Sequence, residues 1–503
     1  MAPPSACAKC RRELKGCCAG ALRLRRGRKP TTRRPRRRRA PGGVDRIGAL
    51  PDDLLLEVLV RLRCARAAAH ATLLARRWRG LWAGLPELAF HGVAPDPLDA
   101  ALAAASTRAS APLSLLSIAV PYHHSPVSTT RLSSWLRAAA ALAPARLVIS
   151  NAIMQASRGV AVVELPRFDR TTSISLEVSG ARFTLPPAGD LPALESLSLD
   201  RCHIDLSDLL PRCPRLRKLR IYGWELNSIT VRSPSLEELD VEASYAMRGP
   251  MHLVHIVTPV LKKLRFFAHL GPMTGLGGAT SLTCTAPMVE ELHWWCTVNS
   301  KSARFGVWWL RNLTLTAKPS RNTNLQLQHR PHVVHTLSLR IGIPIVRPSV
   351  DEAWNFGKEI TSRIPVTKFQ GLELEIETEG HVYGAMVLHL LGICNFIQRL
   401  RLNLREVRKG CSVNCPCNQL NNWKSQSISL TYLQEVEIHG FQGEDHEVDL
   451  LNVIFTSATM LERVAVHSSS KISPRDNGCM EMYSISMAYP SVKCKFYHDT
   501  TYS

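Results

Sequence analysis

A short apolar template recurs along the chain from residue 141 onward. Leu194-Glu195-Ser196-Leu197-Ser198-Leu199 reads L-x-x-L-x-L. The same spacing returns ten more times, at residues 216–221, 236–241, 261–266, 289–294, 310–315, 334–339, 369–374, 397–402, 433–438 and 461–466. Side chains alternate between the two faces of a strand, so each copy predicts a short strand with one buried face. Weaker strands are expected before the array, at residues 147–149 and 171–176.

The spacing of the copies predicts how these strands are arranged. Successive copies begin 20 to 36 residues apart, close to the roughly 20 to 29 residues of a leucine-rich repeat, whose signature they match. One such strand cannot bury its leucines alone, so neighbouring repeats must stack into a continuous core. We expect an α/β fold in which residues 141–428 form an irregular leucine-rich-repeat solenoid (horseshoe) with parallel strands. An ordinary β-rich domain explains the repeated spacing less well.

The residues between and beside the repeated leucines are predicted to line the opposite, exposed face of the strands. The candidate target-binding residues on this face are Lys218, Arg220, Tyr222, Glu238, Asp240, Lys263, Arg265, Phe267, Trp295, Arg399 and Arg401. Aromatic residues and Arg dominate the energetics of protein interfaces, so a protein partner of mixed charge is expected. The interleaved acids disfavour nucleic acid, because they repel phosphates. The alternative is that these charges only solvate the sheet. In the pairs Trp294-Trp295 and Trp308-Trp309, one ring should be core and the other exposed.

Residues 44–84 show helical periodicity instead. Pro51 with Asp52 and Asp53 after it is a favourable helix start, because Pro fits the first turn and acids face the positive end of the helix dipole. Leu55, Val58, Leu59 and Leu62 then recur at helical spacing along one face. About forty residues of short helices make a small core, so part of the apolar surface is expected to need a partner.

The order D-R-I-x-x-L-P-D-D-L-L-x-x-V-L-x-R-L, followed by R-R-W-R-x-L-W, resembles the F-box of plant F-box proteins. The resemblance implies a Skp-type adaptor as partner and, through it, a cullin. It implies that Leu50 and Pro51 insert into the adaptor, that the leucines and valine after them continue the contact or form the module's own core, and that the third helix packs through Trp78. The adaptor-binding residues implied are Leu50, Pro51, Leu54, Leu55, Val58, Leu59, Leu62, Trp78, Leu81 and Trp82.

The remaining domains are predicted from composition and pattern. Residues 1–43 form a basic arm, 85–140 a helical linker and amino-terminal cap of the solenoid, and 429–503 a strand-helix-strand segment. That last segment is similar to the FBD-like region that follows the repeats of plant F-box proteins, and is expected to cap the array.

The net charge of +22 is concentrated in the arm, where 15 Lys and Arg residues accompany one acid, Glu13. Such a segment repels itself and should be disordered. Its run Arg33 to Arg39 is either a nuclear-localisation patch, a nonspecific polyanion contact or a leader without a specific role. Without a long apolar run, neither a membrane span nor a signal peptide is expected. The nucleus or the cytoplasm is the predicted location, with reduced cysteines.

Two groups of cysteines are candidate metal ligands. Cys7, Cys10, Cys17 and Cys18 have an adjacent second pair, which fits a tetrahedral site poorly. Cys411, Cys415 and Cys417 offer three thiols in a polar loop, and His439 is distant in sequence. No metal site and no cofactor is therefore expected.

The sequence contains none of the common catalytic signatures, such as H-E-x-x-H, G-x-x-x-x-G-K-[ST] or G-x-S-x-G. We expect a non-catalytic, substrate-recognition subunit of a Skp-cullin-F-box ubiquitin ligase, whose repeats hold an unknown protein substrate. The alternative is a protein-interaction or nucleic-acid-associated scaffold that uses the basic arm and the horseshoe. A small molecule that gates target binding stays open.

Overall fold

The computed structural model describes residues 50–62, 81, 85–106, 113–121, 126–155, 160–187, 189–223, 226–243, 251–270, 281–298, 304–319, 333–343, 356–365, 368–394, 396–405, 411, 415, 417, 421–425, 428–469 and 476–498. The basic arm with its four cysteines, Trp78, Trp82 and the side chain of Leu62 lie outside the described residues. The chain divides into two compact units, residues 1–171 with 175–181, and residues 172–174 with 182–503.

The first unit alternates helices and short strands. Its elements are α1 (Asp52–Leu62), β1 (Glu87–His91), α2 (Pro95–Ser106), β2 (Leu115–Ala119), α3 (Thr129–Leu142), β3 (Arg146–Ile153), β4 (Ala161–Glu164) and β5 (Ser173–Thr184), the last of which contains the division between the units. Strands β1, β2 and β3 pair in parallel, which places the buried residues Leu88, Leu116 and Leu147 in register. Helix α3 buries Trp135, whose indole N–H donates to Asp99 of α2 at 2.5 Å.

The second unit consists mainly of strands. They are β6 (Ser196–Ile204), β7 (Lys218–Gly223), β8 (Ser228–Arg232), β9 (Glu238–Ala243), β10 (Leu253–Val257), β11 (Lys263–Leu270), β12 (Ser281–Thr285), β13 (Glu291–Val298), β14 (Arg304–Phe305), β15 (Trp308–Pro319), β16 (Val333–Gly342), β17 (Gly371–Glu377), β18 (Arg399–Arg405), β19 (Glu435–Phe441), β20 (Arg463–Ser468) and β21 (Lys493–His498). Its helices are α4 (Leu206–Leu209), α5 (Phe356–Thr361), α6 (Gly384–Ile393), α7 (Asp445–Ser457) and α8 (Asn477–Ala488), with 3-10 turns at Leu210–Arg212 and Asn421–Ser425.

Strands β6, β7, β9, β11 and β13 pair in parallel, in that order, and are called the first run below. The central leucine of each template copy occupies the same register position and is buried, as at Leu197, Leu219, Leu239, Leu264 and Leu292. Strands β8, β10 and β12, which lie between these copies in the chain, form a separate parallel sheet. The repeats of the first run therefore return through these strands, except that the segment between β6 and β7 contains α4 and a 3-10 turn.

Strands β16 to β21 also pair in parallel, each with the next along the chain, and are called the second run. Here the segments between strands contain helices α5, α6, α7 and α8. The predicted strand-helix-strand order of residues 433–466 corresponds to β19, α7 and β20. Helix α7 begins with a capping box. The Glu444 side chain accepts a hydrogen bond from the backbone N–H of Glu447, and the Glu447 side chain accepts one from the backbone N–H of Glu444.

Strand β15 lies between the two runs and is antiparallel to both β13 and β16. The predicted α/β fold, a leucine-rich-repeat solenoid with mostly parallel strands, is confirmed, and β15 is an antiparallel exception within it. The chain turns back within the sheet here, through two hairpins. Trp294 and Trp308 are buried as predicted for one member of each pair, while Trp295 and Trp309 are half-buried rather than exposed.

Candidate functional site

Helix α1 separates its apolar residues into two stripes. Successive residues of an α-helix are about 100° apart, so Pro51, Leu54 and Val58 fall within about 60° of one another, while Leu55 and Leu59 lie on an adjacent sector. Leu55 and Leu59 are 0% and 1% exposed, whereas Leu54 is 44% and Val58 39% exposed.

The sequence placed Leu55, Val58, Leu59 and Leu62 at helical spacing along one face. Of these, Leu55 and Leu59 are buried, whereas Val58 is exposed. Val58 lies with Leu54, which leaves an apolar stripe on the surface of the helix. Pro51 is exposed at its beginning, and Leu50 and Leu81 are half-buried. One stripe of α1 therefore builds the core of the first unit and the other is available to a partner.

The predicted face of the first run carries charges in ordered rows. One row crosses the strands as Lys218, Glu238, Lys263 and Glu291, and the next as Arg220, Asp240, Arg265 and His293. Lys218 Nζ lies 3.1 Å from Glu238, and Lys263 Nζ lies 3.0 Å from Glu291. Asp240 lies between Arg220 at 3.6 Å and Arg265 at 3.3 Å. Hydrogen bonding and attraction to Glu291 raise the pKa of Lys263, so its charge is retained.

A third row contains most of the aromatic side chains of this face. It crosses the first run as Tyr222, Glu242, Phe267 and Trp295, all half-buried. Phe267 stacks on Trp295 with ring centroids 5.7 Å apart and on His293 at 5.0 Å. The guanidinium of Arg265 lies 5.7 Å from the Phe267 ring, within cation–π range. Burial, together with nearby Arg265 and Lys318, lowers the pKa of His293, which favours the neutral ring.

The second run pairs its charges across neighbouring strands in the same way. Arg401 Nη2 lies 2.6 Å from Glu437 Oε2, and Glu435 accepts from Arg463 at 3.0 Å, with Arg399 at 3.7 Å. Burial opposes ionisation of Glu437, but hydrogen bonds from Arg401 and His439 outweigh it and lower the pKa of the carboxyl. The candidate residues Arg399 and Arg401 are thus ion-paired rather than isolated cations.

The aromatic row reappears at the far end of the second run. His439, His467 and Tyr497 occupy neighbouring register positions and stack, with ring centroids 4.2 and 4.4 Å apart. His467 and Tyr497 were not among the sequence candidates. The signal that locates His467 is its position directly after the last inward apolar residue of the template, where Tyr222, Phe267 and Trp295 also stand. Tyr497 follows no copy of the template and is located by its pairing with His467.

This arrangement has a chemical consequence for the face. Each base of the two charged rows has an acid on the neighbouring strand, so the surface presents many local dipoles and no continuous positive field. The binding of a polyphosphate is strengthened by a continuous run of cations and weakened by each carboxylate, because like charges repel. The half-buried aromatic rows beside paired charges suit a protein surface of mixed charge.

A groove of about 480 Å³ lies beside α7 and the second 3-10 turn. Its lining residues are Lys424, Ser425, Ile428, Ser429, Val453, Thr456 and Ser457. This lining is mainly polar, whereas sites for small molecules are lined mostly by apolar side chains. The groove therefore gives little support to the idea of a small-molecule receptor.

The repeated parallel strands have the architecture of a leucine-rich-repeat solenoid. Residues 132–306 match the family model for the LRR repeats of FBD-associated F-box protein At5g56370. Among the described helices, none has both the length and the apolar character to cross a bilayer.

Three Arabidopsis thaliana relatives illustrate the similarity. The chain is 23% identical to F-box/FBD/LRR-repeat protein At4g03220 over 85% of the chain and 89% of that relative. It is 28% identical to F-box/FBD/LRR-repeat protein At2g04230 over 39% of the chain and 47% of that relative. It is 27% identical to F-box/LRR-repeat protein 25 over 44% of the chain and 85% of that relative. These matches confirm the resemblance to plant F-box, leucine-rich-repeat and FBD proteins.

Proposed function

We propose that this protein is the substrate-recognition subunit of a Skp-cullin-F-box ubiquitin ligase. The observation that carries the proposal is the exposed apolar stripe of Pro51, Leu54 and Val58 on α1, beside the buried pair Leu55 and Leu59. A helix that uses one stripe for its own core and exposes another needs a second protein to cover the exposed side chains. The F-box in the names of the relatives supports a Skp-type adaptor as that protein.

The proposed role is non-catalytic. The adaptor connects the chain to a cullin and to a ubiquitin-charged enzyme, while the repeats hold the target. Holding both at once raises the effective concentration of target lysines near the charged enzyme, and no bond is made or broken by this chain.

The face of the first run is the proposed target-binding surface. Phe267, Trp295 and His293 form one contiguous ring cluster, and Arg265 lies against it. Such clusters can be buried by a partner at low entropic cost, because aromatic side chains have few rotatable bonds. The paired charges around them select a partner surface of alternating sign.

Adaptor binding by purified full-length protein tests the first half of the proposal. The variant Leu54→Lys/Val58→Lys should bind a Skp-type adaptor about 100-fold more weakly, because two buried apolar contacts of about 1.5 kcal/mol each are replaced by charges. Leu50→Ala/Pro51→Ala should weaken binding in the same direction. Affinities are measured by calorimetry or surface plasmon resonance.

Val60→Lys is the matched control. Val60 is 40% exposed, like Val58, but lies about 120° around the helix from Leu54 and about 160° from Val58. This variant should bind the adaptor like the wild type, and circular dichroism should show all variants folded. A folded wild-type chain that does not bind the adaptor contradicts the proposal, as does equal weakening by Val60→Lys.

Target recognition is tested separately in a reconstituted ligase. Phe267→Ala/Trp295→Ala should abolish ubiquitination of a target that the wild type modifies while leaving adaptor binding unchanged. Truncation of two aromatic anchors removes contacts of about 2 kcal/mol or more each. Unchanged ubiquitination would exclude this part of the face, and His439→Ala/His467→Ala would then test the second run.

A further inference from the structure

Four potential metal ligands meet at the carboxyl-terminal ends of β17 and β18. His381 follows β17 after a tight turn in which Glu379 and Gly380 have φ angles of 45° and 77°, and its N–H donates to the Thr378 carbonyl at 2.8 Å. Cys411, Cys415 and Cys417 follow β18. The two strands are parallel neighbours, so the segments after them leave the sheet at the same edge. Two distant parts of the sequence are thereby placed side by side.

The distances within this cluster match a tetrahedron. His381 Nδ1 lies 3.2 Å from Cys411 Sγ, 3.2 Å from Cys415 Sγ and 3.4 Å from Cys417 Sγ. Cys411 and Cys417 have their sulfurs 3.5 Å apart. With Zn–S near 2.3 Å and Zn–N near 2.0 Å, the edges of a regular site are about 3.8 Å between sulfurs and about 3.5 Å between sulfur and nitrogen. All four ligand atoms lie within 4.8 Å of one another.

A cluster of hydrogen-bonded thiols explains this convergence less well. A neutral imidazole has a single acceptor nitrogen with one lone pair, and three sulfurs approach it from different directions. A cation at their common centre satisfies all four ligand atoms at once. A disulfide would use two of the cysteines and leave the approach of the third and of the histidine without a reason.

The surroundings fit a structural site rather than an open one. Cys415 and Cys417 are 4% and 5% exposed. The ring of Trp308, itself buried, meets the His381 ring edge-on at 6.3 Å. Trp423, in the 3-10 turn after the cysteines, packs so closely on Gly384 of α6 that a Cβ there would lie 2.4 Å from its ring. Two thiols of the cluster are thus buried, while His381 and Cys411 are half-buried, and packed tryptophans lie against His381 and the beginning of α6.

The second group with ligand geometry is less suitable. Glu437, His439 and His467 also lie within reach of one ion. Glu437, however, already forms an ion pair with Arg401 at 2.6 Å, and a dication beside that guanidinium would be repelled.

We propose that His381, Cys411, Cys415 and Cys417 bind one Zn²⁺ in a closed Cys3His site. Three thiolates and an imidazole are a common ligand set for structural zinc, and four protein ligands leave no position for a substrate. The ion fastens the connection after β18 to the end of β17. This site is independent of the proposed role in a ubiquitin ligase.

Metal content of the full-length protein is the first test. The protein purified in reducing buffer should contain about one zinc ion per molecule, as measured by inductively coupled plasma mass spectrometry. His381→Ala, Cys415→Ser and Cys417→Ser should each reduce that content at least tenfold. Cys284→Ser and Cys494→Ser, at cysteines elsewhere in the second unit, are matched controls and should retain the zinc.

A further control separates the amino-terminal cysteines. The variant with Cys7, Cys10, Cys17 and Cys18 all changed to Ser should retain the zinc of this site. If zinc is lost in that variant and kept in Cys415→Ser, the proposal is wrong. A wild-type chain with no zinc, even after incubation with zinc chloride, also overturns it.

Cobalt substitution gives a readout that does not depend on the stability of a variant. Co²⁺ added to the metal-free wild type should give the visible bands of tetrahedral cobalt and intense sulfur-to-cobalt charge-transfer bands. His381→Cys should still bind the ion, with stronger charge transfer because a fourth thiolate is present. Octahedral cobalt bands without charge transfer would contradict the proposal.

Discussion

The first and second runs differ in the segments that connect the end of one parallel strand to the beginning of the next. In the first run the equivalent residues Leu197, Leu219, Leu239, Leu264 and Leu292 follow one another after 22, 20, 25 and 28 residues. In the second run Leu372, Leu400, Val436, Val464 and Cys494 follow after 28, 36, 28 and 30 residues. The shorter repeats return mostly through the strands β8, β10 and β12, and the longer ones through α6, α7 and α8. Steps of 28 residues occur in both runs, with a strand in the first run and a helix in the second, so repeat length alone does not determine the returning element.

The two runs also differ in where they place polar groups. The first run keeps its charged groups in solvent-exposed rows across the strands. The segments of the second run bury several, including Arg363 and Glu359 after β16 and Glu447 with Tyr383 beside α7. Buried polar groups are costly unless they are fully paired, so mutations should have larger effects in the second region.

The buried ion pair of α5 should give the largest effect. Arg363, 0% exposed, donates to Glu359 at 2.9 and 3.1 Å and to the Leu270 carbonyl of β11, and its own carbonyl accepts from Trp294. Arg363→Ala leaves a buried carboxylate unpaired and should lower the free energy of unfolding by about 3–5 kcal/mol in urea titrations.

The double variant Glu359→Gln/Arg363→Met is the control for this prediction. It removes both charges and should recover much of the loss, since replacing a whole buried pair is far less costly than breaking it. If the double variant is as unstable as Arg363→Ala, packing around Trp294 rather than charge carries the effect.

Glu447 should make stability depend on pH. Burial raises the pKa of its carboxyl to about 7, against the partly compensating hydrogen bonds from the Gln442 N–H, the Tyr383 hydroxyl and the Glu444 N–H. A raised pKa means that the folded state holds the proton more tightly, so this stabilisation is lost as pH rises from about 4.5 through 7. The free energy of unfolding of Glu447→Gln, relative to that of wild type, should therefore rise by about 2–3 kcal/mol between pH 5 and pH 8.

Urea unfolding of both proteins at several pH values measures this difference. His446, whose pKa burial lowers to about 4, titrates in the opposite sense but is present in both chains and cancels. A constant difference between Glu447→Gln and wild type would mean that Glu447 is ionised throughout this range.

The exposed rows of the first run should give the smallest effect. Arg265→Gln leaves Asp240 with its second partner, Arg220, at 3.6 Å. The side chain of Arg265 is 55% exposed, so the loss of unfolding free energy should stay below about 1 kcal/mol and shrink further in high salt. Thermal denaturation at low and high ionic strength checks both points. A loss as large as that of Arg363→Ala would show that the rows act as a cooperative network.

The sequence could predict the strands but not all of their directions. The template Leu310-Leu313-Leu315 has the same spacing as its parallel neighbours, and alternation of period two is identical whichever way a strand runs. The antiparallel direction of β15 is evident only from its pairing with β13 and β16, which the pattern does not record. For α1, the sequence predicted that part of the apolar surface needs a partner and named Leu54 and Val58 among the adaptor contacts. It could not tell which apolar residues of the helix are buried, because Val58 is close in angle to both stripes.

The cysteine cluster shows a different limit. Cys411, Cys415 and Cys417 were visible as a group, but His381 lies 30 residues before them and forms no recognisable spacing. Only the pairing of β17 with β18 brings it near. The aromatic row, in contrast, could be found by reading the same template position in every repeat.

Strand β15 also restricts how this gene can change in length. Within either parallel run, duplication or loss of one whole repeat leaves every later strand running in its original direction. Loss of β15 alone would leave the chain at the wrong edge of the sheet for entry into β16. Evolution should therefore vary repeat number on either side of residues 291–342 and inherit that segment as one unit, which a comparison of repeat counts among relatives would reveal.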